Sequence, residues 1–151
     1  MSAIPVFRER LTISEREIDD LGHVNNIVWL KLVMRLAERH STAVGMPFSE
    51  YLRSGGVLVV RRHEIDYCLP AFPGDELLGE TWVSMMHAAR STRHARFLRV
   101  SDGALLLSST SDWAYVDAVK QRPRRIQQDV ISRFTLVETP PGPASGLVAT
   151  E

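Results

Sequence analysis

Within eight residues, Asp19-Asp20-Leu21-Gly22-His23-Val24-Asn25-Asn26, the chain gathers two carboxylates, an imidazole and two amides directly ahead of a long apolar run. Position gives this cluster its chemical meaning. The first N–H groups of a helix lack intrahelical partners and carry the positive end of its dipole, so they can polarise a carbonyl and hold an oxyanion. A carboxylate a few residues upstream can face the same point, either to attack the carbonyl or to deprotonate a water. Gly22 allows a tight backbone path and close approach of a ligand. The same residue types are also what turn and capping chemistry supplies before any helix. Asp19 and His23 could be two metal ligands four residues apart, but no third ligand stands near them. Adjacent Asp19 and Asp20 point their side chains apart and make a poor acid/base pair.

The elements that must position this cluster follow from periodicity. Phe7 to Glu17 has a charged, strand-like pattern that stops at the Asp-Asp-Leu-Gly turn. Val24 to Val44 reads as one helix, with apolar Ile27, Val28, Leu30, Leu32, Val33, Met34, Leu36 and Ala37 broken by Lys31, Arg35, Glu38 and Thr42. Its length is about 30 Å. Gly45 and Pro47 end it, and Pro47 to Leu52 reads as one further helical turn. The second half changes period: Val57 to Cys68, Glu76 to Met86, Ala95 to Val100 and Ala104 to Val116 read as the strands of a β-meander, separated by turn-formers. Asp102-Gly103 predicts an antiparallel hairpin between the last two. Pro123 to Phe134 predicts a short closing helix, and residues 138–151 an unstructured tail after one domain over 1–137. One strand, one helix and four strands predict an α+β fold in which an antiparallel sheet curls around the helix and leaves an edge for a second subunit.

Composition excludes several classes. Eighteen basic and eighteen acidic residues give the 151-residue chain a formal charge of zero, so the field that draws proteins to nucleic acid or anionic membranes is absent. The start has no signal-peptide pattern and no run of eighteen apolar residues occurs, which predicts a cytoplasmic protein. Cys68, the lone cysteine, is read as a small packing residue. No glycine-rich phosphate loop is present, and no cofactor is expected.

The cluster, followed by Trp29 and Leu30 and by Glu38-Arg39, resembles the D-x-x-G-H-V-N-N-x-x-Y-L signature of hotdog acyl-CoA thioesterases of the 4-hydroxybenzoyl-CoA thioesterase type. Arg62-His63-Glu64-Ile65-Asp66-Tyr67, then Pro70 and Pro73-Gly74-Asp75, resembles the family's R-x-E-I-D-Y-x-x-P-x-x-x-G-D segment, and Arg122-Pro123-Arg124-Arg125-Ile126 its closing R-P-R-R-I. The match runs from about residue 6 to 134. Trp29 stands where Tyr is common, and Gln127 where Pro is common. The resemblance implies a hotdog fold and hydrolysis of an acyl thioester, with CoA favoured over acyl carrier protein. It makes Asp19 the catalytic carboxylate and puts the thioester carbonyl on the N–H groups around Asn25 and Asn26. His23, Asn26 and Glu64 are further site candidates, Trp29 a shaper of the acyl pocket, and Ser91 a substrate contact. Phosphates of CoA would need surface cations, for which Arg61, Arg62, Arg90, Arg93, Arg122, Arg124 and Arg125 are available. A homodimer or homotetramer with sites built from two subunits is implied. Two other readings on the same fold are a non-catalytic acyl-CoA-binding domain and a dehydratase or hydratase. A carboxylate at Asp19 and the H-V-N-N context favour the thioesterase.

Overall fold

Antiparallel pairing dominates the chain, and its order explains why the signature loop sits where it does. The computed structural model describes residues 4–142. Five strands, β1 (Phe7–Thr12), β2 (Gly56–Tyr67), β3 (Glu76–His87), β4 (Arg90–Arg99) and β5 (Leu105–Asp117), form one antiparallel sheet in the order β1-β3-β4-β5-β2. Strands β3, β4 and β5 form a meander, whereas β2 crosses to the far side of β5 and ends as an edge strand.

Helix α1 (Asn26–Ala43) lies on the inner face. It buries Trp29, Leu32, Val33, Leu36, Ala37 and His40, a stripe at helical spacing, and leaves Lys31, Arg35, Glu38 and Arg39 exposed. Leu36 reaches the sheet where Gly79 leaves room, and Trp29 packs at 5.4 Å on Phe97. Glu9 of β1 pairs with Arg35 and Arg39, tying the helix to the first strand. A second core gathers Val44, Met46, Tyr51, Tyr115, Ile126, Val130 and Phe134 under α2 (Phe48–Ser54) and the four-residue α3 (Gln128–Ile131). Gln127 spans this region, its Nε2 donating to the Ser54 carbonyl at 3.1 Å. No helix among the described residues is long and apolar enough to cross a membrane.

Several boundaries differ from expectation, each for a local reason. Strand β1 stops at Thr12, because Ser14 opens a single 3-10 turn, Glu15–Glu17, closed by a capping box with Glu17. Helix α1 begins at Asn26 rather than Val24, since the Val24 N–H donates to the Ala71 carbonyl and Asn25 becomes the cap. The expected turn over Ala88 to Thr92 shrinks to Ala88-Ala89, with Ala88 at φ 55, and β4 starts at Arg90. Only Gly103 takes positive φ in the Asp102-Gly103 connection, so it is a longer loop than a two-residue type I′ turn. The closing helix is a single turn. Cys68 is exposed just past the end of β2 rather than packed. Of the expected tail, residues 138–142 form no regular element, and 143–151 lie outside the described residues.

Candidate active site

The signature folds into a miniature hairpin closed by an antiparallel bridge between Ile18 and Val24. Asp19 organises its turn: the Asp19 N–H donates to the His23 carbonyl, and Gly22 N–H returns to the Asp19 carbonyl at 3.0 Å. Gly22 takes φ 83, and a Cβ there would meet nothing within 4 Å, so backbone conformation alone explains the glycine. The Asp19 carboxylate divides its two oxygens. Oδ1 accepts from Leu21 N–H at 2.9 Å and His23 N–H at 3.4 Å, whereas Oδ2 has no hydrogen bond among the described residues and lies 3.7 Å from His23 Nδ1. Turn capping by one oxygen and a second oxygen without a hydrogen bond among the described residues therefore coexist in one side chain. Asp20 is exposed, in keeping with side chains that diverge.

The helix start offers its donors unevenly. Asn25 Oδ1 accepts from Ile27 N–H at 2.8 Å, and the Asn25 carbonyl accepts from Trp29 N–H. The N–H groups of Asn26 and Val28 have no partner among the described residues. Asn25 is thus a helix cap, and Asn26, exposed, is the first helical residue. Leu21 and Ile27, 78% and 66% exposed, flank the loop. The Val24–Ala71 hydrogen bond brings up the segment that carries exposed Leu69 and Phe72. The loop and the segment bonded to it thus carry four exposed apolar side chains.

The other candidates fall elsewhere. Trp29 is 3% exposed and belongs to the core. Glu64 is exposed on β2, where it pairs with Arg62 at 3.2 Å. Arg122 and Arg125 are exposed beyond β5, and Arg124 lies against Gly55, 3.8 Å from Asp117. These three arginines sit at the Gly56 end of β2, because Gly56 pairs with Asp117 and the Asp117 N–H donates to the Arg122 carbonyl. The Asp19 loop sits at the Tyr67 end. Twelve extended residues separate the two ends by up to about 36 Å. Arg90 is exposed at the start of β4, and Ser91, beside it, is 4% exposed and turned inward.

A cavity of about 460 Å³ opens under the C-terminal half of α1, against α2 and the sheet, and Ser91 lines it with Met34, Tyr51, Val57, Arg93 and Trp113. It lies away from the Asp19 loop. Arg93, expected on the surface, is 8% exposed because the β4 alternation turns Ser91, Arg93, Ala95 and Phe97 inward. Its Nη1 donates to His40 Nδ1 at 2.9 Å and to Thr81 Oγ1 at 3.1 Å. His40 Nε2 lies 2.8 Å from the Ile4 carbonyl, so this nitrogen carries the proton and Nδ1 accepts. Burial, helped by the Arg93 charge, lowers the His40 pKa to about 4 despite that carbonyl, and burial lowers Arg93 to about 10. Inward alternation from Ser91 to Phe97 was the available sequence signal for this arrangement. Reading Ala88 to Thr92 as a turn hid it. No group of three His, Cys, Asp or Glu side chains gathers among the described residues to hold a metal.

Comparison with known proteins places this geometry. The profile of the thioesterase-like superfamily matches residues 13–134. An acyl-acyl carrier protein thioesterase of Arabidopsis thaliana, the chloroplastic ATL2, is 24% identical over 124 residues, covering 82% of this chain and 65% of that protein. The chain thus spans just under two thirds of the length of the curated relatives it matches. A 1,4-dihydroxy-2-naphthoyl-CoA thioesterase from Synechocystis superposes with a TM-score of 0.79 at 15% identity, over 89% of this chain and 99% of that one. An acyl-ACP thioesterase from Bacteroides thetaiotaomicron superposes with a TM-score of 0.81 at 15% identity, over 91% and 56%. At such identities the superpositions establish the hotdog fold, as the resemblance of the motifs implied.

Proposed function

Because the chain belongs to the thioesterase-like superfamily, we propose that it hydrolyses an acyl thioester, with Asp19 as the group that acts on the carbonyl. The observation that carries this reading is the division of labour in the Asp19 carboxylate: Oδ1 is fixed by two N–H groups while Oδ2, 3.7 Å from His23 Nδ1, has no hydrogen bond among the described residues. A pinned carboxylate with one open oxygen is pre-oriented for attack or for deprotonating a water. In the first route Oδ2 bonds to the carbonyl carbon, the C–S bond breaks, and water later cleaves the mixed anhydride. In the second, Oδ2 takes a proton from the water that attacks, and the thiolate leaves. The N–H groups of Asn26 and Val28 hold the developing oxyanion, and the His23 ring, beside Oδ2, orients the carboxylate.

The site is completed by a second subunit in this reading. The outer edge of β2 is unpaired among the described residues, and an antiparallel β2–β2 contact between two copies sets the Gly56 end of one beside the Tyr67 end of the other. That contact brings Arg122, Arg124 and Arg125 of one protomer towards the Asp19 loop of its partner, closing a separation too long for one chain. Those arginines then meet CoA phosphates, which makes CoA the favoured carrier, and the motifs favour the 4-hydroxybenzoyl-CoA thioesterase type. A dimeric or tetrameric mass in solution is the expected result. The competing reading, a domain that only binds acyl-CoA, draws on the Oδ1 hydrogen bonds, which are ordinary turn chemistry. Incubating the purified protein with a panel of acyl-CoA and acyl-ACP thioesters, with free thiol as readout, separates the two. Release of thiol from one class supports hydrolysis; saturable binding without thiol release supports the binding domain.

A further inference from the structure

The cavity under the C-terminal half of α1 contains a charge that the fold leaves unanswered. Arg93 is buried, yet no carboxylate among the described residues lies within ion-pair distance of it, and its two hydrogen bonds go to the neutral acceptors His40 and Thr81. Both come from a single nitrogen, Nη1, so the other edge of the guanidinium has no protein partner among the described residues. A buried cation without a counter-ion costs several kcal/mol, which is why such groups are normally paired. One further donor lines the same space: Ser91, 4% exposed, whose cross-strand partner Trp113 packs into the wall with a buried Nε1–H that has no acceptor among the described residues. Tyr51 is already satisfied by Ser41, which in turn bonds the Met46 carbonyl. Glu38 lies at the exposed rim and makes no ion pair with Arg93.

We propose that this cavity is a binding site for the carboxylate of an apolar acid, with Arg93 as its counter-ion and Ser91 as a flanking donor. The planar guanidinium offers a carboxylate two parallel N–H bonds. The rest of the wall, Met34, Met46, Phe48, Val57, Leu58 and Met86, suits a hydrocarbon body. A volume of about 460 Å³ is in the range of small-molecule sites, roughly 300–1,000 Å³. Within one protomer about 16 Å of α1 separates Asn26 from Ala37, one of the cavity's lining residues, whereas Val57 and Leu58 put the cavity at the Gly56 end of β2, which the proposed β2–β2 contact sets beside the partner's Asp19 loop. The cavity's occupant is a free carboxylic acid or an acyl group whose distal end carries a carboxylate.

Calorimetric titration of the purified full chain with decanoate and with decanol, both below micellar concentration, tests the proposal. Decanoate is expected to bind at least tenfold more tightly than decanol. Arg93→Gln should reduce decanoate to the affinity of decanol and leave decanol unchanged. Ser91→Ala, which removes the flanking donor, should weaken decanoate several-fold, and it keeps the test decisive should Arg93→Gln fail to fold. Equal affinities for the two ligands, or no saturable binding of decanoate to the wild-type chain, overturns the proposal. A parallel comparison of decanoyl-CoA with the mono-CoA thioester of decanedioic acid separates the sources. A lower KM for the second, lost in Arg93→Gln, assigns the site to the acyl group, and equal KM values with intact decanoate binding assign it to the free acid. Because the titration needs no turnover, loss of the hydrolase reading leaves its outcome untouched.

Discussion

Replacing Gly79 by alanine probes the contact that seats α1 on the sheet. Gly79 faces Phe97 across the β3–β4 pair, and a Cβ added there would stand 2.6 Å from Phe97 Cε1 and 3.0 and 3.2 Å from the two methyl carbons of Leu36. Ordinary carbon contacts lie at about 3.5–4.0 Å, so the ring must retreat by roughly 1 Å. Phe97 is 0% exposed and Leu36 1%, which leaves no free space to retreat into. Overpacking of this kind costs about 1–3 kcal/mol, offset by the roughly 0.5–1 kcal/mol that alanine recovers over glycine in a strand. A net loss of about 1–2 kcal/mol is expected. For a chain of this size that lowers Tm by roughly 3–6 °C. Urea and thermal unfolding should be compared at one protomer concentration, because assembly would otherwise contribute. Phe97→Leu in the Gly79→Ala background should recover part of the loss, a coupling between neighbours that independent sites would not show. If Gly79→Ala is as stable as the parent chain, the close helix–sheet contact described above is wrong.

The buried His40 gives the fold a pH dependence of definite sign. Its folded-state pKa falls from 6.5 to about 4, so the unfolded chain takes up the proton first, and stability present above pH 6.5 is lost as pH falls towards 4. This amounts to about 2 kcal/mol at pH 5. His63 and His94, lowered by burial as well, act in the same direction, so the pH 7.5 to pH 5 difference in urea stability should shrink, not vanish, in His40→Gln; an undiminished difference would contradict the assignment. Alanine at Arg122, Arg124 or Arg125 should raise KM for the best acyl-CoA more than it lowers kcat, since a phosphate contact is the same in ground and transition states. Unchanged KM in all three variants would move the carrier site elsewhere.

The loop-plus-helix signature was legible because its chemistry is local: an aspartate turn, a glycine at positive φ and an asparagine cap are read from neighbouring residues. The succession of strands beyond it was legible from turn-formers and alternation, but not their order in the sheet, since β2 pairs with β5 instead of opening a four-stranded meander. What escaped was the half of β4 whose inward residues are polar. Ser91 and Arg93 point into the cavity, so the stretch from Arg90 to His94 has the composition of a surface turn and the geometry of a core strand. Arg93 was accordingly counted among surface cations, since no local rule reveals that His40, fifty-three residues away in sequence, accepts from it. Cys68 failed in the opposite sense. Its apolar neighbours suggested packing, but β2 is an edge strand and the residue falls past its end.

The central claim is that Asp19, not merely the turn it caps, carries the reaction. Steady-state hydrolysis of the best thioester by Asp19→Asn and Asp20→Asn, side by side with the parent chain, tests it most directly. Asparagine keeps the Oδ1 hydrogen bonds to Leu21 and His23 and removes the charge and basicity from the free oxygen. The account predicts a fall in kcat of roughly 10²-fold or more for Asp19→Asn, little change in KM, and near-parental turnover for Asp20→Asn. Parental turnover in Asp19→Asn would contradict it.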